Sequence, residues 1–199
     1  MTLHKILIGI LFCGVAMGGN AQTADSSSLK KNHRWTLYAD VGPNYYFNNL
    51  VVAKGKVNEV NYAYTGRLMW EPEYFLSVGL EVGYNRLYTL EGNLPNNNGT
   101  IRITNVAVPI QFVVSMKFLK SFYGNFNVGH AFLTNNVSTS NFGSDSGTLL
   151  STADFAASLG YRRNISDRFL LGVELRGYYS TKLDDTNLSL LFMGGYRLW

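Results

Sequence analysis

Cysteine is almost missing from this chain: the single one, Cys13, lies in the apolar stretch from Ile6 to Met17. A protein exported without that stretch holds no thiol, so its stability cannot rest on disulfides or on thiolate-bound metal. Proline is scarce, with four in 199 residues, and charged residues make up 15%, where about 25% is usual for soluble domains. No apolar run reaches the roughly 20 residues that a membrane-crossing helix needs, which excludes a helical membrane protein. The 17 basic and 13 acidic residues leave a net charge of +4 without a basic cluster, so nucleic acid is not an expected partner. No metal-ligand spacing and no phosphate-binding glycine loop occur, and neither a metal nor a cofactor is expected.

What is present begins with a leader. Lys5, the apolar run, and then Gly19-Asn20-Ala21 ahead of Gln22 have the order of a secretory signal with a small-residue cleavage site, which predicts removal of residues 1–21. Lipid attachment at Cys13 is disfavoured, because bulky Phe12 precedes it and the apolar stretch ahead of it is short. Residues 22–33 are polar and aperiodic and read as a short flexible tail. The rest, residues 34–199, reads as one domain.

From Trp35 onward apolar residues recur at every second position, the period of a strand with one apolar face. Eight such segments follow: Trp35 to Phe47, Asn61 to Glu71, Tyr74 to Thr89, Ile101 to Val114, Phe122 to Leu133, Leu149 to Arg162, Phe169 to Ser180 and Asn187 to Trp199. Pro109 interrupts the fourth and predicts a bulge there. Short turns are expected at Glu71-Pro72-Glu73, Met116 to Ser121 and Arg163 to Arg168. Long loops are expected at Asn48 to Val60, Leu90 to Thr100 and Thr134 to Thr148, the last almost wholly Asn, Ser, Thr and Gly.

Short turns on one side and long loops on the other are the asymmetry of an outer-membrane barrel. The expected fold is therefore all-β: an eight-stranded antiparallel up-and-down transmembrane β-barrel with a filled polar lumen. An even strand number puts the N- and C-termini on the short-turn, periplasmic rim. Trp35, Trp70 and Trp199 fall on that rim, where amphipathic rings belong.

With the apolar faces turned to lipid, the opposite faces meet inside. Their acids are Asp40, Glu81, Asp154 and Glu174; their bases are Arg67, Arg162, Arg176 and Arg197. An eight-stranded barrel is only wide enough for side chains to fill, so these groups are expected to pair as a structural ion-pair network. In this register Arg197 needs a carboxylate partner. A conducting path or a gate made by the same charges is the functional alternative. A soluble ligand-binding barrel would reverse the faces and should carry more charge. Catalysis has little footing: the outer-membrane lipid A deacylases use a His-x-Ser spacing on the outer wall, and here His130-Ala131-Phe132 lacks the serine.

The run Trp70-Glu71-Pro72-Glu73-Tyr74-Phe75-Leu76-Ser77-Val78-Gly79-Leu80-Glu81, with Val108-Pro109-Ile110-Gln111-Phe112, Leu159-Gly160-Tyr161-Arg162 and the close Gly195-Tyr196-Arg197, resembles the Bacteroidota-type outer-membrane β-barrel family, often called PorT-like and similar to OmpX-like small barrels. The resemblance implies insertion by the barrel assembly machinery, which reads a C-terminal aromatic strand. Gly194 and Trp199 match that insertion signal, and Arg197 stands where a hydrophobic residue is commoner. It carries over no catalytic residue. The expectation is a non-enzymatic outer-membrane protein with a structural or interaction role through its extracellular loops. Its partners would be outer-membrane lipid and lipopolysaccharide, the assembly machinery, and a protein at the loops. A subunit of a secretion or transport assembly and a narrow gated pore are the alternatives.

Overall fold

The computed structural model describes residues 34–47, 57–72, 75–93, 99–140 and 143–198. The leader, the N-terminal tail and Trp199 lie outside them. The described residues form ten strands: β1 (Arg34–Phe47), β2 (Val57–Asn58), β3 (Val60–Glu71), β4 (Leu76–Asn93), β5 (Thr100–Lys117), β6 (Phe122–Thr139), β7 (Gly143–Leu150), β8 (Asp154–Asn164), β9 (Phe169–Ser180) and β10 (Asp185–Arg197). Eight of them, β1, β3, β4, β5, β6, β8, β9 and β10, pair antiparallel each with the next, and β10 pairs back to β1. The result is a closed eight-stranded barrel without a free edge in its wall.

Alternation places the side chains. Along β1, Leu37, Val41, Tyr45 and Phe47 are exposed while Thr36, Tyr38, Asp40, Asn44 and Tyr46 are buried. The same division runs through Leu68, Leu80, Val82, Ile110, Phe112, Phe126, Leu159, Leu175, Leu190 and Phe192 outside, and Arg67, Glu81, Gln111, Asn127, Ser158 and Glu174 inside. Because the strand period is two, the ladder between Val41↔Phe192 and Ala39↔Gly194 sets every residue of both strands in or out at once. The outer face is thus an apolar wall that no other part of the described chain covers.

Two tyrosines need room in so narrow a lumen, and glycines supply it across the strand. Gly160 pairs with Tyr123 and Gly195 with Tyr38; a Cβ at either glycine would run into the opposing ring. Each ring therefore lies over a bare stretch of backbone.

Three expectations are corrected. Pro109 makes no bulge: pairing runs unshifted from Val82↔Ile110 to Asn85↔Ala107, and the shift falls between Arg86 and Tyr88, where Leu87 is the extra residue. Leu87 keeps the inward series of Glu81 and Asn85, and the bulge lets the next residue, Tyr88, turn to the same inner cluster, its ring 5.2 Å from that of Tyr46. Pro109 is accommodated because Gly83 lies beside it, where a Cβ would come within 3.0 Å of the ring.

Second, Leu90 to Thr100 is strand at its ends: β4 continues to Asn93, which pairs with Thr100, and residues 94–98 lie outside the described residues. Third, Thr134 to Thr148 is a hairpin, since β6 runs to Thr139 and β7 pairs with it from Phe132↔Leu150 to Thr139↔Gly143. Leu149 and Leu150 consequently belong to β7, and the barrel strand after it starts at Asp154. β7 is exposed along its whole length, so the polar composition of this second hairpin hides a ladder made by the backbone.

Candidate functional site

The chemistry of this chain is concentrated inside the barrel, in a central tier and a tier at the short-turn mouth. In the centre Arg67 of β3 is the hub. Its Nη2 lies 2.7 Å from Asp40 Oδ2 and 3.1 Å from Glu174 Oε2, and its Nε lies 3.1 Å from Glu81 Oε2. Arg176 of β9 reaches Glu81 Oε1 at 2.5 Å and donates to Gln111 Oε1 at 2.9 Å. All five charged groups are at most 3% exposed.

Neutral donors complete the tier. Thr65 donates to Asp40 at 2.6 Å, Asn127 to Glu81 at 3.1 Å, and both Tyr123 and Asn125 to Glu174 Oε2, at 2.8 and 3.1 Å. Such bonds matter because a buried charge without partners costs several kcal/mol. Asp40 Oδ1 and the Nε and Nη1 of Arg176 have no hydrogen-bond partner among the described residues.

Asp154 is set apart from the arginines. It accepts from Tyr178 at 2.5 Å and from Ser180 at 3.2 Å, and Tyr178 also belongs to an apolar cluster with Tyr46, Leu87, Ala107, Ala131, Leu133 and Ala156. A second cluster, Tyr38, Met69, Val113, Tyr123 and Met193, shares its two tyrosines with the charged tiers. Tyr123 bonds the central Glu174, and its ring lies 5.1 Å from the Arg162 guanidinium.

At the mouth Glu71, the last residue of β3, is 6% exposed. It accepts from Thr36 at 3.0 Å and Tyr38 at 2.8 Å, and pairs with Arg162 at 2.8 Å. Arg162 also donates to the Tyr38 hydroxyl and sits over the Tyr38 ring. Planar guanidinium stacked on two tyrosines and tied to a carboxylate is a rigid arrangement.

The structure thus brings Asp40, Arg67, Glu81, Glu174 and Arg176 together, leaves Asp154 to hydroxyl donors, and puts Arg162 at the mouth. Arg197 does not meet the expected carboxylate. Its guanidinium donates to Asn164 Oδ1 at 2.8 Å and to the Asp167 carbonyl at 3.1 Å, because the turn after β8 folds over the end of β10 before any inward acid comes within reach. Trp35 and Trp70 face each other across β1 and β3 at the same rim. Gly194 lies opposite Ala39 and Leu171 on β10, and Trp199 falls outside the described residues.

Glu71 and Tyr123 were not among the expected lumen groups, whereas Tyr38, Gln111, Asn125 and Asn127 lie on the faces that alternation turns inward. Parity would have found Glu71, which continues the inward series Asn61, Ala63, Thr65, Arg67, Met69 although Pro72 makes it look like a turn residue. His130 stands on the outer face with its Nδ1 3.2 Å from the Ser151 carbonyl. At the long-loop rim Arg102 pairs with Glu91 at 2.5 Å in water, beside a cleft of about 430 Å³ that Asn93, Thr100, Ser138 and Ser140 also line.

No known family's sequence pattern matches this chain, and no curated protein matches it in sequence. Solved structures do match. Ail, the attachment invasion locus protein of Yersinia pestis, in complex with the heparin analogue sucrose octasulfate, superposes with a TM-score of 0.56 at 12% identity, covering 83% of this chain and 99% of that one. A second Ail structure gives 0.52 at 11% identity over the same shares. The N-terminal β-barrel domain of Pseudomonas aeruginosa OprF gives 0.48 at 12%, covering 82% and 99%. The likeness is one of fold: a small, closed, eight-stranded antiparallel barrel of the outer-membrane type.

Proposed function

We propose that this protein is a non-enzymatic barrel of the outer membrane, which holds two polar hairpins outside the cell as an interaction surface. The observation that carries the reading is the division of the molecule. An apolar wall surrounds a polar, side-chain-filled interior, and β4–β5 and β6–β7 continue beyond one rim as strands, β7 with both faces exposed. Lipid is the one solvent that suits the wall. Every residue of β7 is exposed, so the ladder with β6 holds a polar surface open at no cost to the core.

Filling of the lumen supports a scaffold over a pore. At the level of Arg67 and Glu174 the cross-section is occupied by the network and by Tyr38, Met69, Val113, Tyr123 and Met193. In this reading the short turns face the periplasm, and the C-terminal strand is what the assembly machinery engages.

The experiment is surface proteolysis. A protease recognition sequence inserted between Ser140 and Gly143 is expected to be cut in intact cells, while the same insertion at residues 165–168 is cut only after the outer membrane is permeabilised. Cleavage of the hairpin solely in permeabilised cells would overturn the orientation, and cleavage of protein recovered in the soluble fraction would overturn the membrane assignment.

A further inference from the structure

The two ends of the barrel differ in sign. At the short-turn rim the described charges are Arg34, Lys117, Lys120, Arg162, Arg163, Arg168 and Arg197 against Glu71 and Asp167. Four of these bases stand at inward positions. Arg34 alternates with buried Thr36, Lys117 with buried Ser115, Arg162 with buried Gly160, and Arg197 with buried Gly195. Among the described residues they ring one inward carboxylate, Glu71, and its oxygens already accept from Thr36, Tyr38 and Arg162.

Ladder register closes the ring. Arg34 is the cross-strand partner of Glu71, and Arg197 that of Thr36. Lys117 pairs with Tyr123, whose ring underlies Arg162. The charges acting most strongly on Lys117 are Glu71, Arg162, Arg197 and Arg34. Two of these cations have unspent donors: the Lys117 ammonium makes no hydrogen bond or ion pair to the described residues, and Arg197 Nε is buried without a partner. Half-buried cations held together with donors unmet cost free energy through desolvation and mutual repulsion, and a bound oxyanion removes both terms.

We propose that the short-turn mouth of the lumen is an anion site. It takes a phosphate-class oxyanion between Lys117, Arg197 and Arg34, with the Arg162–Glu71 pair as its floor. Arg162 cannot be turned wholly to the ligand, since Glu71 and the rings of Tyr38 and Tyr123 fix it, so Lys117 and Arg197 supply the free donors. The site opens to the side of the short turns, where both free phosphate and the phosphate of a lipid headgroup can approach. This inference stands on the mouth alone and does not depend on which way the hairpins face.

The full chain, folded in non-ionic maltoside micelles that contain no phosphate, is titrated with inorganic phosphate while the Lys117 Nζ and Arg197 Nε resonances are followed. Saturable shifts are expected with phosphate and not with chloride at equal ionic strength. Lys117→Gln should weaken binding about tenfold, the loss of one charge-assisted hydrogen bond, and Lys117→Arg should largely retain it. Unchanged resonances of the central tier show that each variant is folded. A parallel sample in phosphatidylglycerol nanodiscs without phosphate separates the sources: bound-state shifts there assign the site to a lipid headgroup, and shifts with free phosphate alone assign it to a soluble anion. Shifts that fail to saturate in both arms, or a Lys117→Gln variant that binds as the parent does, would overturn the site.

Discussion

The centre and the mouth of one lumen carry opposite imbalances of charge. Around Arg67 and Arg176 stand Asp40, Glu81 and Glu174, an acidic surplus that Asp154, held by hydroxyl donors, enlarges; around Glu71 stand Arg34, Lys117, Arg162 and Arg197, a basic one. The centre is shut off from water, and its surplus is distributed over neutral donors: Thr65, Tyr123, Asn125, Asn127, Tyr178 and Ser180. The mouth opens to solvent, and there, among the described residues, only Arg162 is tied to a carboxylate. Hydrogen bonding stands in for counter-charge where water is excluded.

The comparison breaks most sharply at Arg67. Arg67→Met leaves Asp40, Glu81 and Glu174 facing one another with Arg176 alone, and should cost about 3 to 5 kcal/mol, read as a lower urea midpoint for unfolding from lipid bilayers. A loss below about 1 kcal/mol would mean that the neutral donors suffice by themselves. One residue away on the other face, Leu175 is 49% exposed while Glu174 is 1% exposed. Leu175→Arg should cost about 2 to 4 kcal/mol in a bilayer if that face meets lipid at mid-depth, and the same unfolding assay would show little effect if it met water. Glu71→Gln releases Arg162 at the wetter tier and should cost about 1.5 to 3 kcal/mol; a penalty as large as that at Arg67 would erase the distinction between the tiers.

Much of the fold was legible because alternation is a local property. The positions of Val41, Leu80, Leu175 and Phe192 against Asp40, Glu81, Glu174 and Met193 follow from period two alone. What escaped depends on things a single strand does not show. The extension of β6 into β7 is polar on both faces, so Asn135, Asn136, Ser144 and Ser146 look like loop although they pair. The bulge at Leu87 leaves no mark in composition, while Pro109 leaves a misleading one.

Inside the lumen, parity says that Asp154 and Arg197 point inward but not what they meet. Partners are set by barrel shear and by the lengths of side chains from strands far apart in sequence: Tyr178 reaches Asp154 before any arginine does, and Asn164 reaches Arg197. Nothing local marks Tyr38 and Tyr123 as lying over Gly195 and Gly160, because the strands that carry those glycines are far away in sequence.

The pairing of β1 with β10 has a consequence for the order in which the molecule can be made. That ladder, from Thr36↔Arg197 to Phe47↔Thr186, joins the residues most distant along the chain, whereas six of the other seven barrel ladders join strands that follow one another or have only the short β2 between them in strand order. The entropy of bringing ends together grows with the length between them, so this seam is the last to zip on a chain that assembles hairpin by hairpin. The seam is nonetheless chemically ordinary, with Leu198 N donating to Trp35 O as one more rung. Joining the chain across it and opening it at residues 165–168 would therefore produce a circular permutant with the same barrel and a different final step.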